Sequence, residues 1–216
     1  MQENEEIKAG GSLLEEGETV IDFILFETER LFVREFNIDD EEAVFAYSGD
    51  AENTVFMDWG PEGRDGVREF IRSRLVSQIT SPRRIYDFAV CLKETGELIG
   101  AIGLFLTKDG LQGDLGYIFN KKYWKNGYAA EAASGMLRFG FTALDLHRIT
   151  ARCDSKNHDS EAVMKRIGMR NEGEMRSSVH TRVRGRLQWR SEKAYAMLRK
   201  EYLNRLFDEK GTDGGL

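Results

Sequence analysis

The segment from Asp114 to Glu131 reads Asp-Leu-Gly-Tyr-Ile-Phe-Asn-Lys-Lys-Tyr-Trp-Lys-Asn-Gly-Tyr-Ala-Ala-Glu. An apolar, β-like run passes through a basic turn with a glycine straight into good helix formers. A turn of that kind aims main-chain N–H groups, the positive end of a helix and Lys125 at one spot, and such a spot suits a phosphate. The chemistry it implies is capture of an anionic cofactor by main chain rather than by a pocket of side chains. Neither a Gly-x-x-x-x-Gly-Lys-Ser/Thr loop nor a Gly-x-Gly-x-x-Gly turn after a strand occurs, which argues against a nucleotide-binding enzyme.

The elements that must position this turn follow from local patterns. Val20–Phe26 and Leu31–Phe36 are β-like. A helix is expected over about 40–48 with Asp39 or Asp40 as its N-cap. Asn53–Arg64 reads as a loop. The apolar spacing of Val67, Phe70, Ile71, Leu75 and Ile79 predicts a helix over about 65–80. Strands follow over Ile85–Lys93, Leu98–Leu106 and Asp114–Phe119, joined by turns at 94–97 and 108–113. A helix over 127–145, a strand over His147–Cys153, a helix over Ser160–Ile167, strands over Met169–Ser178 and Gln188–Met197, and a basic loop at Thr181–Arg186 complete the pattern. This order predicts one mixed α/β domain over residues 20–206 around a single sheet. Residues 1–19 are expected to form a flexible acidic extension, and 207–216 a disordered tail.

The 216 residues suffice for one domain with a real core, and a net charge of −6 gives no support for nucleic acid as the main partner. Charge is uneven: residues 161–210 carry 13 Lys or Arg against seven acids, either a solvated face or a hold on a phosphorylated ligand. Cys91 and Cys153 fall in predicted strands, and both read as reduced and mostly buried. His147 and His158 have no metal-like spacing, so no metal site is expected. No apolar run reaches the roughly 18–20 residues of a membrane span, and the N-terminus is acidic where a signal peptide is basic, so no membrane partner and a cytoplasmic protein are expected.

Six pieces in order carry a family resemblance over residues 27–198. They are Glu27-Thr-Glu-Arg-Leu-Phe-Val-Arg34, Gly-Glu-Leu-Ile-Gly-Ala-Ile-Gly103, Asp114-Leu-Gly-Tyr117, Tyr123-Trp-Lys-Asn-Gly-Tyr-Ala-Ala-Glu131, Asn157-His-Asp-Ser160 and Arg166-Ile-Gly-Met169. Together they resemble the acyl-CoA N-acyltransferase (GNAT) superfamily, and within it the RimJ/RimL-like branch of ribosomal-protein N-acetyltransferases. Trp124 stands where the wider superfamily has Gln or Arg, Lys125 where Gly is frequent, Asn126 where Lys or Arg is frequent, and Ser191 where many relatives have Asp.

The resemblance implies a mostly antiparallel sheet, splayed between its fourth and fifth core strands and flanked by helices. It implies acetyl-CoA as cofactor and transfer of the acetyl group to a primary amine through a tetrahedral intermediate, the acceptor being a protein N-terminus or a small molecule. The main chain of Tyr117, Ile118 and Phe119 would pair with the pantetheine amides, and an N–H around Ile118 would hold the oxyanion. The loop of Trp124, Lys125, Asn126, Gly127, Tyr128, Ala129 and Ala130 would cradle the pyrophosphate. Asn157 would bond the pantetheine, or make an Asx turn. Arg166 would reach the adenosine phosphate, or stay solvated. Asp114 would be the general base, with Asp87 or Glu35 acting through water as the alternative, and a turn-capping role for Asp114 as the other. Ser160 would protonate the leaving thiolate, cap its helix, or do both. Trp59, Phe45, Tyr47 and Phe56 fall where the family lines its acceptor cleft. A monomer or homodimer is expected. The competing reading is a non-catalytic acyl-CoA-binding module, for which the departures at Trp124 and Asn126 speak.

Overall fold

The computed structural model describes residues 24–183 and 186–212. The expected extension at 1–19, the strand start at Val20 and the last tail residues, 213–216, lie outside them. Five strands form an antiparallel meander: β1 (Ile24–Glu27), β2 (Leu31–Arg34), β3 (Ile85–Leu92), β4 (Leu98–Leu106) and β5 (Gln112–Phe119). Two helices, α1 (Glu41–Ser48) and α2 (Arg64–Ile79), are inserted between β2 and β3. After β5 come α3 (Tyr128–Thr142), β6 (Arg148–Asp154), α4 (His158–Arg166), β7 (Arg170–Val183), β8 (Arg186–Leu198) and α5 (Arg199–Thr212).

The eight strands form one sheet in the order β1-β2-β3-β4-β5-β6-β8-β7, and β5–β6 is its parallel pair. That pairing is short, matching Gln112, Gly113 and Asp114 to Arg148, Ile149 and Thr150. Beyond it the strands part: β6 continues to pair with β8 as far as Asp154 but no longer with β5. This is the splay expected from the resemblance.

Side chains alternate across the meander, so each strand feeds two cores. Phe88, Val90, Ile102, Leu104 and Leu115 pack against the small-residue face of α3, where Ala130, Ala132 and Ala133 let the helix approach closely and Met136, Leu137 and Phe141 fill the space. Ala89, Cys91 and Ala101 face the opposite layer, with Val44 and Tyr47 of α1 and Val67 and Ile71 of α2. Cys91 and Cys153 are both buried free thiols.

Several boundaries differ from expectation. Asp40 is the N-cap residue of α1 as expected, without a side-chain cap bond, but a 3-10 turn at Ile38–Asp40 precedes the helix and is capped by Asn37: its side chain accepts the Asp39 N–H, while Asp40 accepts the Asn37 N–H and two bonds from Arg34. Within the expected basic loop at Thr181–Arg186, residues 181–183 and 186 belong to the long β7–β8 hairpin, whose cross-strand pairing carries the strands further than composition suggested. Helix α5 runs to Thr212, so the expected disordered tail begins as helix. Among the described residues no helix is long and apolar enough to cross a membrane, and no three His, Cys, Asp or Glu side chains cluster as a metal site.

The α4–β8 packing is pinned by one carboxylate. Glu161 accepts bonds from Lys193 at 2.7 Å, Tyr195 at 2.8 Å and Lys165 at 2.8 Å. The bonds from Lys165, Lys193 and Tyr195 lower its pKa from the ordinary 4.5 to about 2. A depressed folded-state value means the group stabilises the fold above pH 4.5 and loses that contribution as pH falls toward 2. Glu161→Gln is therefore expected to lower Tm at neutral pH, with the gap to the parent closing as pH falls through that window. Melting curves from pH 7 to the acid limit check this; a gap constant with pH would contradict it.

Candidate active site

Gly127 is the N-cap of α3 with φ +82° and ψ 0°, a left-handed conformation that L side chains rarely adopt, and Lys125 before it has φ +62°. No side chain caps this helix start, so the N–H groups of its first turn are left for a ligand. A Cβ at position 127 would stand 3.5 Å from an Arg30 guanidinium nitrogen and 3.7 Å from one of Arg166. Two cations from distant segments thus converge on the turn.

Arg30 lies in the Glu27–Arg34 piece, whose sequence gives no sign of this contact. It is held by Glu131 at 2.7 Å, by the Asn126 carbonyl at 3.0 Å, and over the Tyr128 ring at 4.5 Å. Glu131 also accepts from the Thr28 hydroxyl and the Arg30 N–H. Burial opposes the charge of Glu131, but these bonds outweigh it and lower its pKa. Two of the motif pieces are therefore halves of one clamp. The side chains of Trp124 and Asn126 are spent on the loop itself: Trp124 donates to the Phe119 carbonyl at 2.7 Å, and Asn126 to the carbonyls of Tyr123 and Trp124. Besides the exposed Lys125, what this loop offers a phosphate is main chain.

The ladder register decides which groups of β5 face the splay. Asn120 N–H donates to Ile99 O at one end of the β4–β5 ladder, and Thr107 N–H to Gln112 O at the other. In an antiparallel pair with this register, Gly116↔Gly103 and Ile118↔Ala101 exchange their main-chain bonds, while Tyr117 and Phe119 turn theirs outward. Ile118 is thus not a main-chain partner for a cofactor, nor the oxyanion donor, because its N–H and C=O are used inside the sheet. The Phe119 carbonyl is also taken, by Trp124 and by the buried Asn53 at 2.8 Å. The groups left facing the gap are the N–H and C=O of Tyr117 and the N–H of Phe119.

Across the gap, Asn157 is the N-cap of α4 and accepts the Ser160 N–H at 3.0 Å, so Ser160 does not cap the helix. The Ser160 hydroxyl lies 2.9 Å from the Tyr117 hydroxyl, which also reaches the Ser160 carbonyl at 3.2 Å. Burial raises the pKa of Tyr117, keeping that phenol protonated. Burial likewise pushes the Cys153 thiol up to about 11, which makes it a poor nucleophile.

On the α1–α2 side of the sheet, a cavity of about 510 Å³ opens over β3, β4 and β5. From the sheet, Asp87, Ala101, Phe105, Gly116, Tyr117 and Ile118 line it. Asp87, Gly103 and Gly116 lie in one row across three strands, and Ala89, Ala101 and Ile118 in the next. A Cβ at Gly103 would come within 2.9 Å of an Asp87 carboxylate oxygen, so glycine is what lets this carboxylate lie across the strand toward Gly116. Asp87 is 6% exposed and bonded to Arg74 at 2.6 Å; burial raises its pKa in spite of that partner.

Asp114 begins the adjacent row, beside Phe105, and does not line the cavity. It accepts from the Thr150 hydroxyl at 2.7 Å and from Arg152 at 3.3 Å, both on β6. Glu35 is locked in a two-pronged bond with Arg83. Tyr47 and Trp59 line the cavity as expected; Phe45 and Phe56 do not. Phe45 instead packs under Arg64.

A family model described as "Acetyltransferase (GNAT) domain" matches residues 30–170. An uncharacterized N-acetyltransferase of Bacillus subtilis (strain 168), YnaD, is 33% identical over 175 residues, covering 81% of this chain and 97% of its own length. The crystal structure of a GNAT-family acetyltransferase from Bacillus anthracis superposes with a TM-score of 0.71 at 32% identity, covering 81% of this chain and 98% of that one. RimL, a ribosomal L7/L12 alpha-N-protein acetyltransferase solved in complex with coenzyme A, superposes with a TM-score of 0.70 over 81% and 97% of the two chains; at 14% identity this is a likeness of fold.

Proposed function

The chain belongs to the acetyltransferase (GNAT) family, as an N-acetyltransferase whose acetyl donor is acetyl-CoA, and we propose that it moves the acetyl group directly onto a primary amine held in the cavity lined by Asp87 and Gly116. The observation that carries this reading is the convergence of Arg30 and Arg166 on the uncapped start of α3, next to the free main chain of Tyr117. The pyrophosphate fits that cationic turn, and the pantetheine fits the edge of β5 as an added strand. When bound, the cofactor supplies an acetyl thioester as electrophile.

The chain's own groups then divide the work. Asp87, reaching over Gly103, takes a proton from the ammonium directly or through one water, freeing the nitrogen lone pair. Its raised pKa suits this task better than that of an ordinary carboxylate. The Tyr117 N–H, turned to the gap, donates to the carbonyl oxygen as negative charge develops there, in place of the Ile118 N–H. The C–N bond forms, and as the C–S bond breaks the nitrogen gives up its second proton to the Ser160–Tyr117 hydroxyl pair, directly or through water, while that pair passes a proton to the departing sulfur. Asp114, tied to Thr150 and Arg152, steadies the apex where β5 and β6 part.

Free-thiol release from acetyl-CoA in the presence of an amine panel tests this reading. Turnover with at least one amine class is expected. Tight coenzyme A binding without turnover on any peptide, polyamine or small monoamine would instead favour the non-catalytic module.

A further inference from the structure

Asn53 lies on the segment between α1 and α2 and is 6% exposed. Its side-chain amide is divided between the end of β5 and the turn that follows. Nδ2 donates to the Phe119 carbonyl at 2.8 Å, and Oδ1 accepts the Lys121 N–H at 2.7 Å. Lys121 opens the short 3-10 turn that leads into residues 124–130. Asp50 and Glu52 of the same segment pair with the Lys121 ammonium at 2.7 Å and 2.8 Å, so three neighbouring side chains hold one point of the chain.

The Phe119 carbonyl receives a second donor, the Trp124 indole N–H at 2.7 Å. A carbonyl oxygen has two lone pairs, and here both are used. Phe119 is the last residue of β5, and its N–H and C=O point to the same side of the strand. An open carbonyl at that end would offer an added strand a further acceptor and a competing place to pair. With the carbonyl closed, the edge ends at the Phe119 N–H, and the groups of Tyr117 and that N–H define a single register.

Resting on the acetyltransfer reading above, we propose that Asn53 is a positioning residue for the cofactor: by closing the Phe119 carbonyl together with Trp124, it fixes where pantetheine pairing stops and the phosphate turn begins. The segment that carries Asn53 also brings Met57 and Trp59 to the lining of the cavity, so one buried side chain ties the cofactor edge to the cavity wall.

Asn53→Asp keeps an oxygen for the Lys121 N–H and replaces the donor to Phe119 with an acceptor. Titration calorimetry compares coenzyme A with 3′-phospho-ADP, which carries the same phosphates and no pantetheine. The parent should bind coenzyme A more tightly than the fragment. In Asn53→Asp the Kd of coenzyme A should rise about tenfold, the scale of one or two net hydrogen bonds, while that of the fragment stays within about twofold. Trp124→Phe opens the same carbonyl from an exposed side chain and should weaken coenzyme A with the same selectivity, by about three- to tenfold. That variant decides the question if melting curves show that Asn53→Asp does not fold. A role confined to holding the loop together would weaken both ligands alike; that result, or an unchanged affinity for coenzyme A, would overturn the inference and leave acetyl transfer intact. A parent that binds coenzyme A no more tightly than the fragment would take the pantetheine off β5, and the inference with it.

Discussion

Gly127→Glu is expected to weaken coenzyme A binding by at least about 100-fold. Three effects act in the same direction. A non-glycine residue held in the left-handed region costs about 1–2 kcal/mol, and Gly127 sits at φ +82°. The new side chain would leave the main chain with its Cβ within 4 Å of Arg30 and Arg166, and its carboxylate would offset the two cations that face the pyrophosphate. It would also project into the space the phosphate needs. Losing two charge-assisted bonds at about 1.5–3 kcal/mol each already corresponds to roughly 10²–10⁴ in Kd. Gly127→Ala isolates the backbone cost and should lose only about tenfold. Titration calorimetry with coenzyme A measures both variants, with melting curves to confirm that each is folded. Unchanged affinity in Gly127→Glu would take this turn out of the binding site.

Asp87→Asn should have the larger effect on turnover, lowering kcat by about 10²–10⁴-fold, the range for removing a positioned general base. Coenzyme A affinity should stay within about twofold, which also shows that the variant folds although Arg74 has lost its partner. Because burial raises the Asp87 pKa, the acid limb of the parent's kcat/KM profile should lie above the ordinary carboxylate value of 3.8: activity is lost as pH falls through the raised value and the carboxylate takes up a proton. In Asp87→Asn that limb should vanish. Asp114→Asn should cost less than about tenfold, since its oxygens serve Thr150 and Arg152 outside the cavity. If Asp114→Asn proved the more damaging of the two, the role of base would pass to Asp114.

The pairing of these two carboxylates marks where sequence reading stops. Asp114 stands on the strand that the resemblance singles out, so position along the chain favoured it. Asp87 gains its place from Gly103, a residue on another strand whose missing side chain opens the way to Gly116. The same limit applies to Ile118. Its type and place on β5 were legible, but whether its main chain faces the gap or the sheet depends on ladder parity, and a shift of one residue reverses that.

What the chain determined locally came through well: the strands of the meander, α2 and α3, the buried thiols, and the turn at Gly127. These depend on spacing, propensity and one glycine in a left-handed conformation, all decided within a few neighbouring residues. Tertiary structure alone decided that Arg30 stands at the turn, that Asn53 and Trp124 occupy the Phe119 carbonyl, that α5 continues past residue 207, and that Asp87 and Tyr47 line one cavity. The physical reason is that the Arg30 and Asn53 contacts are meetings between segments far apart in sequence. Local periodicity constrains which face a residue presents, and only the packed sheet decides what that face meets.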